Sequence, residues 1–341
     1  MSRRPALSVI IPAFNASDTL GSCLEALKRS SFKNFETIIV DDASTDNTSK
    51  IAKAYGAKVI RFKTNQGPAA ARNAGAKKAK APVLFFLDSD TRPWRDALEK
   101  TVRTLKEPGV GAVVGVYSAQ PTNPGFWPKY FALLKHHSHV QSGRVENYET
   151  FAGQCAAVKK SFFQKAGGYK PLAWGVDVEH EELGRRLNES GCRIVLNPEV
   201  VVDHKFGDFE KLKAIHYRRS YWWTRFFLSA KNKKFESALT TRDYAIGTIA
   251  GSSALGFTAL FALSSAFNVT LVPALSIVGA IVSLAVYSKG YAGFLGFVNE
   301  RAGSWFAARS FIASLLLSLF VTAGAGAALA AHVSNGGKSD L

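Results

Sequence analysis

Apolar and polar positions alternate along this chain on two scales, and the change of scale divides it. Up to about Val202, short apolar runs are separated by amphipathic stretches. The runs Leu7–Ile11, Thr37–Val40, Val59–Arg61, Val83–Leu87 and Val110–Tyr117 predict strands, because fully buried parallel strands read as continuous apolar segments. Between them, Ser17 is placed to cap a helix leading to Leu27, and Ser44 or Thr45 one through Ile51 and Tyr55. Pro93 suits the first position of a helix over Ala97 to Leu105. Strand–helix alternation of this kind predicts an α/β fold, a mostly parallel sheet with helices on both faces.

After Arg242 the scale lengthens. Uncharged, small-residue-rich stretches at about 245–267, 269–288 and 310–331 each reach the roughly 20 residues that a helix needs to cross a bilayer. Asn268 leaves almost no room between the first two, which predicts a tight hairpin. The segment between the second and third reads as a loop carrying Lys289, Arg301 and Arg309. By the positive-inside rule that loop faces the cytoplasm, which places the N-terminal domain there too, at the inner membrane, with Asn335 to Leu341 on the other side. Between the two regimes, Phe206 to Arg242 is rich in Lys, Arg and aromatics, a pattern that predicts interfacial amphipathic helices. The expected division is a cytoplasmic domain over 1–205, interfacial helices over 206–242 and a transmembrane part over 243–341.

Charge narrows the partners. The 43 Lys and Arg outnumber 26 Asp and Glu for a net +17, which favours nucleic acid, an anionic lipid surface or phosphorylated substrates. The basic aromatic segment adjoins the spans, so the lipid surface is expected and nucleic acid is not. Three widely spaced cysteines, Cys23, Cys155 and Cys192, exclude a disulfide framework and a zinc cluster and fit a reducing compartment. Near the N-terminus, Pro12 interrupts the apolar run and no small-residue cleavage signal follows, so the run reads as a strand and not as a secretory signal.

Candidate chemistry gathers at strand ends, where open α/β sheets bind ligands. The run Leu84 to Leu87 stops at Asp88-Ser89-Asp90, two carboxylates that suit a hard cation, Mg²⁺ or Mn²⁺, shared with substrate phosphates. An Asp-rich turn is the simpler alternative. Two earlier strands end in Pro12-Ala13-Phe14-Asn15 and Val40-Asp41-Asp42-Ala43-Ser44-Thr45-Asp46, where Asp42 could accept a hydrogen bond from a nucleotide base or simply sit at a helix start. Gly67 and Pro68 open a helix whose free N–H groups can meet an anion, with Arg72 one turn in. There is no G-x-G-x-x-G and no P-loop lysine.

Taken in order, Ser8 to Asn15, Val40 to Asp46, Gly67 to Gly75 and Asp88-Ser89-Asp90 resemble the motifs of inverting family 2 glycosyltransferases with a GT-A fold, over about residues 6 to 230. The resemblance implies a nucleotide-diphosphate sugar donor, with a UDP-sugar favoured, and a divalent metal. It implies donor contacts at Pro12, Phe14, Asn15, Asp42, Gly67, Arg72 and Ser89, and metal contacts at Asp88, Asp90 and His204. Phe151 to Ala157 followed by Gly167-Gly168-Tyr169 is similar to the family's sugar-lining strand and turn. In Val176 to Leu187, aligning Leu183 and Arg186 puts Glu179-His180 where the family has Glu-Asp, so His180 stands at the usual general-base position. An imidazole, with an unperturbed pKa of about 6.5, is a competent base, and Glu179 and Glu181 are the other candidates. Adjacent spans imply an acceptor hydroxyl on a lipid or lipid-linked glycan. Two alternatives are transfer to a polyprenyl phosphate, which needs no base, and a non-catalytic membrane scaffold.

Overall fold

The computed structural model describes residues 4–170, 178–229, 242–266 and 272–335. These fall into two compact units that divide after Phe206. The first holds an eight-stranded sheet of order β3-β2-β1-β4-β7-β6-β8-β5. Its strands are β1 (Leu7–Ala13), β2 (Phe35–Asp41), β3 (Lys58–Arg61), β4 (Val83–Leu87), β5 (Thr91–Pro93), β6 (Val110–Tyr117), β7 (Cys155–Lys159) and β8 (Arg193–His204). The pairs β1–β2, β1–β4, β2–β3 and β6–β8 are parallel, while β7 and β5 run against their neighbours. The C-terminal ends of β1, β2, β4, β6 and β8 therefore open on one edge, and β7 begins there.

All five expected strands form; the central ones are apolar because both faces of the sheet are covered there, while β3, at the edge, is only partly buried. Phe85 joins the core on one face with Leu24, Leu98 and Val113. Phe86 packs on the other face, against Phe163 at 5.3 Å, Tyr169 at 5.6 Å and Phe151 at 6.0 Å between ring centroids. Among the described residues this unit has seven helices: α1 (Leu20–Lys28), α2 (Thr48–Ala54), α3 (Gly67–Lys78), α4 (Ala97–Leu105), α5 (Phe126–Val140), α6 (Lys160–Lys165) and α7 (Glu179–Glu189).

Helix starts differ from the sequence reading. Helix α1 begins after Thr19, and the Ser17 N–H is bonded to Asp46 Oδ2 at 2.9 Å. Helix α2 begins at Thr48, whose N–H and hydroxyl both donate to Asp46 Oδ1, while Ser44 Oγ accepts the Asn15 N–H at 3.0 Å. The polar turns after β1 and β2 thus bind each other, which removes Ser17 and Ser44 from capping. Pro93 ends the edge strand β5 instead of opening α4; with no N–H to donate, proline suits an edge.

The second unit contains α8 (Phe209–Ser229), α9 (Arg242–Ala266), α10 (Val272–Ala302) and α11 (Ser304–Ser334). The last three are long and apolar enough to cross a membrane. The turn expected at Asn268, the tail beyond Asn335 and residues 230–241 of the expected interfacial segment lie outside the described residues. Helix α8 packs on α11: Ser220 Oγ donates to the Val321 carbonyl at 2.7 Å, and Phe209 meets Phe320 ring to ring at 6.3 Å. The expected loop carrying Lys289, Arg301 and Arg309 is helical. Helix α10 runs on past Lys289, and the break comes at Gly303, with φ of 83°. Gly290 does not stop α10, because it lies against Gly247 and the Asp243 carbonyl of α9, and close packing of small residues offsets their poor helix propensity.

Cys23, Cys155 and Cys192 are free and buried. Burial raises all three thiols, with Cys155 and Cys192 pushed up to about 12.

Candidate active site

The first two polar turns build a scaffold. Asn15, in left-handed backbone at φ 47°, accepts the Thr45 N–H on its Oδ1 at 2.8 Å. Phe14 beside it is exposed, and Pro12 is half-buried in β1. Asp41 is fully buried and accepts from the Ser44 N–H at 2.8 Å and from the Ser49 hydroxyl. Asp42 is buried too, and its two oxygens accept the N–H groups of Gln66 at 2.7 Å and Gly67 at 2.8 Å. It therefore ties the end of β2 to the start of α3, a helix start different from the one next to it in sequence. Gly67 takes φ of 84°, and Pro68 follows in the first turn, as the sequence predicts.

Helix α3 then projects Arg72 inward. Its side chain is 4% exposed, and Nη2 donates to Asp88 Oδ1 at 2.8 Å. Nη1 stands 3.8 Å from Glu179 Oε1, and the guanidinium lies 5.3 Å over the Tyr169 ring. Nε and Nη1 have no hydrogen-bond partner among the described residues. Burial works against the charge of Arg72, but Asp88 foremost, with Tyr169 and Glu179, outweighs it, so the guanidinium stays firmly protonated. Tyr169 is held by the neighbour of Arg72: Asn73 Nδ2 donates to the Tyr169 carbonyl at 2.7 Å, and the Tyr169 N–H donates back to Asn73 Oδ1 at 2.9 Å.

Asp88 and Asp90 follow β4, with half-buried Ser89 between them. Their side chains are 29% and 35% exposed, so solvent reaches into the crevice that they line. Burial raises the Asp88 carboxyl above its ordinary range, Arg72 pulls it back, and the Asp90 charge adds to the rise. The short strand β5 pairs Thr91 with His204 of β8 and so brings Asp90 Oδ2 to 3.3 Å from His204 Nε2. The imidazole is held between Tyr117 and Phe206, at 4.8 and 4.5 Å between ring centroids, and its buried Nδ1 has no hydrogen-bond partner among the described residues. Asn123 clasps the Phe206 backbone as Asn73 clasps Tyr169, donating to its carbonyl at 2.9 Å and accepting its N–H at 3.1 Å.

Among the described residues, no three His, Cys, Asp or Glu side chains converge into a cage that could hold a metal alone. The donor set fits a hard cation all the same. Mg²⁺ and Mn²⁺ commonly take one or two carboxylates and complete their shell with water and phosphate oxygens. Asp90 and the second oxygen of Asp88, on a water-reached rim with a buried cation behind, match that pattern.

Helix α7 supplies the opposite wall. Its first residue, Glu179, faces Arg72, and the next, His180, lies beside Gly153 just ahead of β7. Val176 and Asp177 lie outside the described residues. Glu181, half a turn on, is buried, and its charge acts on Tyr148. Glu182 and Arg186 form a two-pronged ion pair at 2.7 and 2.6 Å, and Arg186 also donates to the carbonyls of Ala166 and Gly168. That contact fixes the turn leading into Tyr169. The structure thus brings Arg72, Asp88, Glu179 and His180 into one chain of contacts, and pairs Asp90 with His204. Tyr169, Asn73 and Gly153 complete the site, and the sequence marks them only as members of longer motifs.

The glycosyl transferase family 2 profile matches residues 8–167. Putative glycosyltransferase EpsE of Bacillus subtilis is 37% identical over 199 residues, 57% of this chain and 70% of that protein. An uncharacterized glycosyltransferase of Haemophilus influenzae is 31% identical over 165 residues, 48% of this chain, and glycosyltransferase AglE of Haloferax volcanii 33% identical over 121 residues, 33% of this chain. The chain spans 55% and 40% of the length of these last two, about half. Among solved structures, the mannosyltransferase PcManGT from Pyrobaculum calidifontis, in complex with GDP-Man and Mn²⁺, superposes with a TM-score of 0.58 at 19% identity, over 96% of this chain and 88% of that one.

Proposed function

Because the chain belongs to glycosyl transferase family 2, we propose that it transfers a sugar, with inversion, from a nucleotide-diphosphate donor to a hydroxyl on a lipid or lipid-linked glycan. The observation that carries this reading is the pairing of buried Arg72 with Asp88 at 2.8 Å, beside Asp90, on the edge where the parallel strands end. A cation and a guanidinium at one spot suit a diphosphate leaving group. When bound there, Mg²⁺ or Mn²⁺ supplies Lewis-acid neutralisation of the charge that builds on the diphosphate.

The chain's own residues do the rest. Asp88 and Asp90 hold the cation, with His204 steadying Asp90. Arg72 has N–H groups left over from Asp88 and aims them at the diphosphate, a fixed positive charge that needs no reorganisation during reaction. Asp42, whose two oxygens take the Gln66 and Gly67 N–H groups, fixes the turn that the base meets, and Phe14 and Pro12 flank the base. Asn15, Gly67 and Ser89 shape the rim. The first turn of α7 faces the acceptor.

Three helices of membrane-crossing length support an acceptor met at a bilayer surface. Arg301 and Arg309, on either side of the α10–α11 break, support a cytoplasmic placement of that end, with Lys289 further back on α10, and the lysines and arginines along α8 support contact with anionic lipid. The test is a donor screen on membranes from an expressing strain. Release of nucleoside diphosphate is followed with UDP- and GDP-sugars, with and without Mn²⁺ and lipid extract. Release that needs one donor, the metal and the extract is the expected result; release unaffected by D90A sinks the reading.

A further inference from the structure

We infer that Glu179 takes the proton in this reaction and that His180 is a positioning residue that holds it, the reverse of what motif position assigns. The inference rests on the transferase reading above and names the group in that site that acts as base.

The argument begins with the lone pairs of the imidazole. His180 Nδ1 accepts the Gly153 N–H at 3.3 Å. A ring nitrogen that accepts is unprotonated, so the neutral ring carries its hydrogen on Nε2. Nε2 stands 3.8 Å from Glu179 Oε1. In that tautomer the edge of His180 toward Glu179 is an N–H, a donor with no lone pair for an incoming proton.

The surroundings hold the ring in this place. A Cβ on Gly153 would collide with Tyr169 Oη and stand 3.0 Å from His180 Cε1, so the backbone N–H reaches the ring only because residue 153 lacks a side chain. The Phe151 N–H donates to the His180 carbonyl at 3.2 Å and pins the backbone. The Tyr169 ring stands edge-on to the imidazole, at 6.1 Å and 73°.

Glu179 is placed for the opposite role. Its Oε1 is 3.8 Å from both Arg72 Nη1 and His180 Nε2, and its side chain is 18% exposed. An ionised carboxylate is acceptor only, and neither neighbour is close enough to saturate it. A hydroxyl that approaches from solvent therefore meets a lone pair on Glu179 and an N–H on His180. In the step, the hydroxyl proton passes to the Glu179 carboxylate and the hydroxyl oxygen bonds to the anomeric carbon. The bond from that carbon to the diphosphate oxygen breaks, and its electron pair leaves with the nucleoside diphosphate. His180 stays neutral throughout.

Two measurements test this. The first needs no substrate: two-bond ¹⁵N–¹H correlation on the full chain in detergent with ¹⁵N-labelled histidine, His180 being identified by its loss in H180N. A neutral ring protonated on Nε2 is expected; a ring protonated on Nδ1 overturns the inference. The second uses the donor and lipid extract active in the screen. E179Q should lose about 10²- to 10⁴-fold in turnover, the span of a removed general base. H180N, whose amide oxygen can still receive the Gly153 N–H, should lose only about 10- to 100-fold. Formate should restore E179G, and imidazole should not restore H180G. Imidazole rescue of H180G with E179Q near wild type overturns the assignment. Indifference at both positions also overturns it, and points to a phosphate acceptor that needs no base. If the unmodified protein turns over no donor at all, the transferase reading falls and takes the inference with it; the NMR pattern keeps that failure distinct from a wrong tautomer.

Discussion

Two acidic pairs stand at the ends of β2 and β4, on either side of β1 along the same sheet edge, and the fold uses them in opposite ways. Asp41 and Asp42, at the end of β2, are buried and filled with internal donors: two backbone N–H groups on Asp42, and a backbone N–H and a hydroxyl on Asp41. Asp88 and Asp90, at the end of β4, remain partly open to solvent, with Arg72 on one oxygen of Asp88 and His204 beside Asp90. Residue type and topological place are nearly the same. What separates scaffold from chemistry is whether the carboxylate is sealed among backbone donors or left on a rim that solvent reaches. Where backbone donors seal the acid from water, it holds backbone in place; where the acid stays on a rim that solvent reaches, it can meet something that arrives from outside.

The comparison breaks if the two pairs respond alike to substitution. D90N should lower donor turnover by about 10²- to 10³-fold, the scale of one lost electrostatic contact to a developing charge, with the unfolding transition unmoved. Parallel assays of nucleoside diphosphate release and denaturant unfolding check it. D42N should do the reverse in kind: its amide meets the Gln66 or Gly67 N–H donor to donor, which costs about 1–3 kcal/mol of stability in a urea titration. Equal destabilisation by the two variants would erase the distinction. The smallest effect concerns Asp46, at the same rim but exposed. Burial raises its carboxyl, but the hydrogen bonds from Thr48 and Ser17 together outweigh it and hold it well below the ordinary range. A lowered folded pKa gives stability that is present above the unfolded value, near 3.9, and is lost as pH falls below it. Acid titration of D46N should therefore lack a shallow stability loss that the unmodified chain shows below about pH 4.

How far such features are legible from sequence depends on how far apart the partners lie. β8, the longest strand, is interrupted by Asn197-Pro198-Glu199 and gives no single apolar run, whereas β1, β4 and β6, covered on both faces, are apolar nearly throughout and announce themselves. β5 does not: it is three residues long and ends in Pro93, so its only signal imitates a helix start. Asp88-Ser89-Asp90 is visible because its chemistry is local. The contact between Gly153 and His180 spans 27 positions, and the clasp of Asn73 on Tyr169 spans 96. No periodicity or spacing rule reaches across such gaps, so the tautomer of His180 and the support of Arg72 appear only once the chain is folded. The region from Lys289 to Arg309 fails for another reason. Its charges read as loop, but helix continues wherever packing outweighs composition, and only Gly303 lets the chain turn.

The three buried thiols carry a practical consequence. With Cys23, Cys155 and Cys192 sealed in the interior and their protons tightly held, the native chain behaves toward maleimides as if it had no cysteine. A single reporter introduced at Trp305, which is 76% exposed beside the α10–α11 break, would give the sole labelling signal. Its reaction with an impermeant reagent, in sealed vesicles of known orientation, reads directly which compartment that end of the helices faces.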